Sequence, residues 1–175
     1  LVPEPPPAEE RVSGAATIEE FVAAGARIYA RVCVLCHSGL GDRAPKLVSI
    51  ATVWNERIRD PRYRGKAKTL EEYVRESMLD PSAYVVKGFG KPGTDDAESP
   101  MPVASKGALA LSPSEIDAVI AYLQSAAGAK VTVAPGANPA SRAEPPATEV
   151  AVGEKAPDAV AAFQKFQCNM CHHLP

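Results

Sequence analysis

The sequence predicts an all-α fold of short helices and loops, and three observations lead to this expectation. Three Ser/Thr-x-x-Glu boxes each precede an apolar stripe with helical spacing. No stretch shows the alternation of apolar and polar residues that is typical of a strand. The remaining segments are loops, which suits a fold whose core is largely a bound group rather than packed side chains.

The first predicted helix begins at Thr17, which forms a capping box with Glu20. It leads directly into Cys33. The residues expected on or near its buried face are Ile18, Phe21, Val22, Gly25, Ile28 and Val32.

Capping boxes and apolar stripes predict two further helices in the same way. One begins at Thr69 and ends at Asp80, because the residue before a proline avoids the α region. The other begins at Ser112, has Pro113 preset at its first position, and ends at Gly128. Their apolar stripes are Leu70, Tyr73, Val74 and Met78 in the first, and Ile116, Val119, Ile120 and Leu123 in the second.

A Cys-x-x-Cys-His pentapeptide occurs twice and uses all four cysteines and two of the three histidines. This motif is the attachment signature of c-type haem. The two thiols add across the vinyl groups of one porphyrin, and the adjacent histidine binds the iron as proximal ligand. The sequence therefore predicts two covalent haem c groups, one on Cys33, Cys36 and His37 and one on Cys168, Cys171 and His172.

Other uses of paired cysteines stay open as alternatives. A thioredoxin-like redox site needs a βαβ setting, whereas the flanks here are helical. A zinc site made from both pairs would have to join residues across a Pro-rich stretch, and it would leave the two histidines without a role. A disulfide is the third alternative.

Composition divides the chain into four parts. Residues 1–16 are predicted to be a Pro-rich tether, with a simple disordered N-terminus as the alternative, and residues 17–127 are predicted to form one compact domain with the first haem motif. Residues 128–157 are rich in Ala and Pro and have few large apolar side chains, which predicts an extended linker. Residues 158–175 begin a second domain around the second motif.

Charge and hydropathy limit the function classes. The formal net charge of -2 does not suggest a nucleic-acid binder. No apolar run is long enough for a transmembrane segment, and the first residue is not Met, which favours a mature or trimmed protein. Covalent haem attachment predicts a periplasmic or otherwise extracytoplasmic location, with a membrane anchor upstream left open.

The segment from Thr17 to Ser125 resembles class I c-type cytochromes, especially bacterial electron carriers and subunits of respiratory or photosynthetic complexes. In that family the N-terminal helix runs into the haem motif, and its glycine and aromatic residue cross the C-terminal helix. Gly25, Tyr29 and Tyr122 lie at suitable positions. The resemblance implies the class I cytochrome c fold, with helices and loops wrapped around covalent haem.

The resemblance also implies two further residues of the first haem site. Pro45 lies where the family supplies a backbone carbonyl that accepts the imidazole Nδ1–H. Met101 lies in a Ser-Pro-Met-Pro stretch before the last helix, where the family delivers its distal iron ligand. Met78 is the competing methionine, but it falls on an apolar stripe where Met usually fills the core. The expected iron ligands are thus His37, Met101 and, in the second site, His172.

The second motif departs from the family pattern. Phe163 precedes it as an aromatic residue should, but Ala159 stands where a glycine is expected. No methionine loop follows His172, and Met170 and His173 are too close to it to reach the opposite haem face. We expect a fragment of a longer dihaem protein, or a site completed by another chain.

Electron transfer is the predicted function, and the chain is not expected to be an enzyme. Iron with both axial positions filled changes oxidation state without binding substrate. The expected partners are redox proteins, among them a membrane-bound oxidoreductase complex. A dihaem enzyme such as a peroxidase, with one open haem, is the alternative, and a binding module without haem is a third reading.

Two charged segments stand out as docking candidates, with solvated loops as the plain alternative. A basic run surrounds Trp54 and Tyr63, and complementary charge would speed association with an acidic partner. An acidic patch lies close to Met101. The members are Arg57, Arg59, Arg62, Arg64, Lys66 and Lys68 in the run, and Asp95, Asp96 and Glu98 in the patch.

Overall fold

The structure is a computed structural model that describes residues 12, 14–38 and 43–136. Every regular element among these residues is helical, which confirms the predicted all-α class. The second haem motif with Cys168, Cys171 and His172 lies outside the described residues. The elements are α1 (Ile18–Ile28), a π-helical turn (Tyr29–Cys33), α2 (Val34–His37), α3 (Ile50–Arg57), α4 (Leu70–Leu79) and α5 (Pro113–Ala126).

The three predicted capping boxes are present and begin α1, α4 and α5. At α1 the Thr17 hydroxyl accepts the backbone N–H of Glu20 at 3.2 Å, and the Glu20 carboxylate accepts the backbone N–H of Thr17 at 3.2 Å. Thr69 and Ser112 do the same at α4 and α5. Each box satisfies backbone donors that the first helical turn leaves without partners. Helix α5 is followed by Gly128 at a φ of 71°, a left-handed position that suits glycine.

Helix α3 is a correction, because the sequence assigned its residues to a loop. Ser49 precedes this helix but makes no side-chain capping hydrogen bond, and Ile50 is its one buried residue. Its apolar stripe is therefore too short to be seen in the sequence. The helix packs against α4 and α5, so tertiary contact stabilises it more than local signals do.

The buried face of α1 is narrower than the sequence predicts. Phe21, Gly25 and Ile28 are buried as expected, and Ala24 joins them. Ile18 is 45% exposed, because it lies in the first turn of the helix, about two turns before the Gly25 position where α5 crosses.

Helices α1 and α5 form the most extensively packed pair of elements in the described domain. At Gly25 the two backbones meet so closely that any Cβ would overlap the carbonyl group of Ala118 and lie 3.0 Å from the Cβ of Tyr122. Beyond this point the rings of Tyr29 and Tyr122 pack with centroids 5.1 Å apart at an interplanar angle of 46°. The predicted helix crossing through Gly25, Tyr29 and Tyr122 is confirmed.

Helix α5 also carries charged groups into the packed interior. Asp117 is buried and pairs with Arg75 of α4, which also binds Glu71 at 3.1 Å. Glu115 is buried and faces Arg31 of the π-helical turn at 3.6 Å. A buried carboxylate is costly to hold unless a cation compensates it, so these pairs fix the register of α4 and of the turn against α5.

The packed domain continues past the predicted boundary at residue 127. We call residues 129–133 the C-terminal strap. The Gln124 side chain is 1% exposed, and its amide donates to the Thr132 hydroxyl at 2.8 Å and accepts the Thr132 N–H at 2.9 Å. The same hydroxyl donates to Glu71 at 2.6 Å, and Val133 lies in the hydrophobic core. The first residues of the predicted linker therefore belong to the fold.

Gly25→Leu tests the helix crossing. We expect a lower free energy of unfolding by about 1–3 kcal/mol or more, because the added side chain must push two backbones apart. Denaturant unfolding followed by circular dichroism measures this. Ala23→Leu is the matched control, since Ala23 is exposed on the same helix. Equal stabilities of the two variants would contradict the crossing.

Gln124→Leu tests the C-terminal strap. The apolar side chain has a similar size but removes both hydrogen bonds to Thr132, and we expect a loss of about 1–3 kcal/mol in the free energy of unfolding. Ser125→Ala is the control, because Ser125 is the exposed neighbour on the same helix. If Gln124→Leu is as stable as the control, the strap contributes nothing to the domain.

Candidate haem-attachment site

The first Cys-x-x-Cys-His motif lies at the end of the helical path that begins with α1. The π-helical turn delivers Cys33, and α2 carries Cys36 and His37. Residues three and four positions apart lie on one face of a helix, so the two sulfurs and the imidazole face the same side. All three side chains are half-buried. This arrangement fits a flat group that is bonded along one edge and bound from below by the histidine.

The imidazole of His37 has a fixed orientation. Its Nδ1 lies 2.7 Å from the backbone carbonyl oxygen of Pro45, a distance that identifies Nδ1–H as the donor. Nε2 then carries the lone pair and is the atom that can bind iron. Burial lowers the pKa of His37, and the Pro45 hydrogen bond opposes this in part. The ring is therefore neutral at pH 7, which is the form that binds a metal.

The sulfurs of Cys33 and Cys36 are thiols in this structure. Burial, with a smaller contribution from Cys36, raises the pKa of Cys33 to about 11. The described elements around Cys33 and Cys36 are helical, whereas a thioredoxin-like redox site needs a βαβ setting, and this argues against that alternative. The donor set, two thiols and one oriented neutral imidazole, fits covalent haem.

The two candidate methionines lie in different surroundings. Met78 is 5% exposed inside the hydrophobic core, and its backbone carbonyl accepts the N–H of Ala104 at 2.8 Å. Met101 lies in a loop before α5, is half-buried at the edge of the same core, and donates its backbone N–H to the Ser99 hydroxyl at 3.1 Å. Met78 is thus a packing residue, whereas Met101 is presented by a loop.

The basic run is partly a structural element. Arg62 pairs with Asp60 at 2.8 Å and lies over the ring of Tyr84, 5.3 Å from its centroid. The hydrogen bonds from Arg62 hold the pKa of Asp60 below its usual range. Arg64 donates to two backbone carbonyl groups. The basic residues of the run that stay exposed without such a role among the described contacts are Arg59, Lys66 and Lys68.

The acidic patch is also built into the loop before Met101. Asp96 accepts the backbone N–H groups of Gly88 and Gly90, both at 2.8 Å, and these bonds lower its pKa. Glu98 pairs with Lys91 at 3.2 Å. Sequence reasoning treated Arg64 and Asp96 only as surface charge. The one local hint was the pair Gly88 and Gly90, eight and six residues before Asp96, because backbone N–H groups at glycines are accessible to a carboxylate.

The all-α fold and the motif at the end of its first helix define the class of this protein as a domain that binds covalent haem. The family model described as Cytochrome c matches residues 22–127, from α1 through the end of α5. The match covers more than half of the chain, and the chain belongs to the cytochrome c family. Comparison with curated proteins and with solved structures gave no match.

Membership of this family has three general consequences. It implies covalent haem c, haem-based electron transfer, and the extracytoplasmic location that is typical of such domains. Most members are electron carriers rather than enzymes. Within the described part of the chain, no helix has the length and apolar character needed to cross a membrane.

Replacing Cys33 and Cys36 together by Ala tests the attachment site. The mass of the denatured variant should be lower than that of the denatured wild-type protein by one haem beyond the change in the side chains, since thioether bonds survive denaturation. The matched control is the same double substitution at Cys168 and Cys171, which should leave the haem on the first motif in place. A wild-type chain with no covalent adduct would contradict the assignment.

Proposed function

We propose that this chain carries single electrons on a haem held by Cys33, Cys36 and His37, with Met101 as the distal iron ligand. The observation that carries the proposal is the hydrogen bond from His37 Nδ1–H to Pro45, on the helical face shared with both thiols. The bound haem supplies a one-electron couple between ferric and ferrous iron.

The protein residues set the properties of that couple. The Pro45 carbonyl holds the His37 ring in one orientation and raises the basicity of Nε2. Covalent links from Cys33 in the π-helical turn and from Cys36 in α2 would keep the porphyrin edge in place in both oxidation states. A thioether from Met101 would raise the reduction potential relative to a second histidine.

The choice of Met101 over Met78 is supported by packing. Withdrawing the Met78 side chain from the core would open a cavity, at a cost of about 2–5 kcal/mol for the loss of a buried Met. Met101 is half-buried and stands between Pro100 and Pro102, which stiffen the loop backbone. Two occupied axial positions leave no coordination site for a substrate, which favours an electron carrier over an enzyme.

We extend the proposal to the whole chain. The complete pentapeptide with Cys168, Cys171 and His172 supports a second covalent haem c, which would make the chain a dihaem carrier. Such a carrier fits a respiratory or photosynthetic chain in the periplasm, between redox proteins that include a membrane-bound oxidoreductase complex. A dihaem enzyme such as a peroxidase is the second candidate. Two haem motifs on one chain are compatible with such an enzyme, in which one haem keeps an open coordination site.

Met101→Ala tests the distal ligand. Ferric iron with a thioether ligand has a weak absorption band near the red end of the visible spectrum, and we expect this band to disappear in the variant. The iron should become high-spin or water-bound, and its reduction potential should fall. Met78→Ala is the control and should keep the band while losing about 2–5 kcal/mol of stability. The opposite pattern would assign the ligand to Met78, and a high-spin first haem in a chain that carries Cys168→Ala and Cys171→Ala would favour the enzyme.

A further inference from the structure

The loop that presents Met101 has a backbone that needs support from elsewhere. Within residues 88–101, Gly88, Gly93, Asp95 and Asp96 have positive φ values of 85°, 80°, 50° and 57°. Two consecutive aspartates in the left-handed region are tolerated only at some cost, because their Cβ atoms crowd the backbone. No helix or strand spans this segment in the described chain. Its shape therefore depends on particular hydrogen bonds.

Asp96 folds the loop back onto its own beginning. One carboxylate oxygen accepts the N–H of Gly88 and the other accepts the N–H of Gly90, both at 2.8 Å. The backbone N–H of Lys91 donates to the carbonyl of Glu98 at 2.8 Å and closes the same loop. These donors lower the pKa of Asp96, so the carboxylate is ionised and accepts both bonds at neutral pH.

Arg64 connects the second half of the loop, at Ala97, with the segment that follows α4, at Ser82. Its guanidinium donates to the carbonyl oxygen of Ala97 at 2.8 Å and to that of Ser82 at 3.2 Å. The Ser82 hydroxyl accepts the N–H of Ser99 at 3.1 Å, and the Ser99 hydroxyl accepts the N–H of Met101 at 3.1 Å. Separate hydrogen bonds to the backbone and side chain of Ser82, and then to Ser99, thus connect the guanidinium with the backbone of Met101.

We propose that Arg64, Ser82, Asp96 and Ser99, together called the Met-loop clamp, are positioning residues that hold Met101 on the iron and resist its replacement by other ligands. This inference rests on the proposed function, since it takes Met101 as the distal ligand. None of these four side chains is an iron ligand in the proposal. They act through the backbone of the loop.

The physical argument is a population shift. An external ligand such as imidazole binds only when Met101 has left the iron, so its apparent affinity is reduced by the fraction of molecules with the loop displaced. In this proposal the clamp bonds form when the loop is in place and are lost when it is displaced. Weakening them raises the displaced fraction, and imidazole then binds more tightly although its own bond to iron is unchanged.

The experiment is an imidazole titration of the full-length ferric holoprotein, followed by loss of the thioether band. Asp96→Asn keeps the shape of the side chain and its tolerance of a positive φ, but it leaves one oxygen to accept two N–H donors. Arg64→Gln removes the guanidinium group that donates to the two carbonyl oxygens. We expect imidazole to bind roughly three- to tenfold more tightly to each variant, the factor that one net hydrogen bond contributes to an equilibrium. Either variant tests the clamp by itself if the other fails to fold.

Two matched controls lie in the same segments. Asp95→Asn makes the same chemical change at the exposed neighbour in the loop, and Arg59→Gln does so at an exposed member of the basic run. Both should bind imidazole within about twofold of the wild-type protein, because neither side chain takes part in the clamp. An affinity for Asp96→Asn and Arg64→Gln equal to these controls would overturn the proposal.

A Met101→Ala background separates positioning from general stability. When this background also carries Cys168→Ala and Cys171→Ala, the first haem is the one that responds. Imidazole then binds an open site with no thioether to displace, and adding Asp96→Asn should leave its affinity unchanged, as measured by the shift of the main haem band. An undiminished effect in this background would overturn the clamp as a positioning device. If the wild-type protein lacks the thioether band, Met101 is not the ligand and the clamp is rejected with it. If the band is present but the clamp variants bind imidazole with the affinity of the controls, the clamp alone is rejected.

Discussion

The close contact between α1 and α5 at Gly25 is the constraint on which the rest of the domain depends. Because no Cβ intervenes, the backbone of α1 rests directly on the carbonyl of Ala118. The ring pair of Tyr29 and Tyr122 then packs one turn further along. The π-helical turn begins at Tyr29, so the crossing determines where Cys33 leaves the helix pair. The haem-binding face is therefore set by a contact that involves none of the haem-binding residues.

A second relation links burial to chemistry at the motif. The same partial burial that raises the pKa of Cys33 lowers that of His37. Burial disfavours the charged form of each group, and the neutral imidazole is the form of His37 that can bind a metal. The Pro45 carbonyl reaches the motif from outside its own turn and accepts the Nδ1–H of His37, which leaves Nε2 as the atom that could bind iron. Away from the motif, Arg62 and Arg64 bind neighbouring backbone carbonyl groups of the loops.

The features that could be predicted from sequence are those encoded within a few residues. The capping boxes, the proline-limited end of α4 and the haem motif are local, and Gly25 with Tyr29 could be interpreted by resemblance. Helix α3 could not be predicted, because it lacks a side-chain cap and buries only Ile50. The Arg64 bond to Ala97 joins residues 33 positions apart. Such contacts follow from the course of the loops, which no periodicity or motif indicates.

The C-terminal strap changes where this domain ends as a folding unit. The family match stops at residue 127, before the residues that complete the environment of Gln124. A chain cut after Ala127 would keep every helix but leave a buried amide without its donor and acceptor, and it would remove Val133 from the core. The packed domain of this chain therefore extends beyond residue 127, where the family match ends. Any excision or fusion of this module should keep the residues through Gly136, the last that the structure describes.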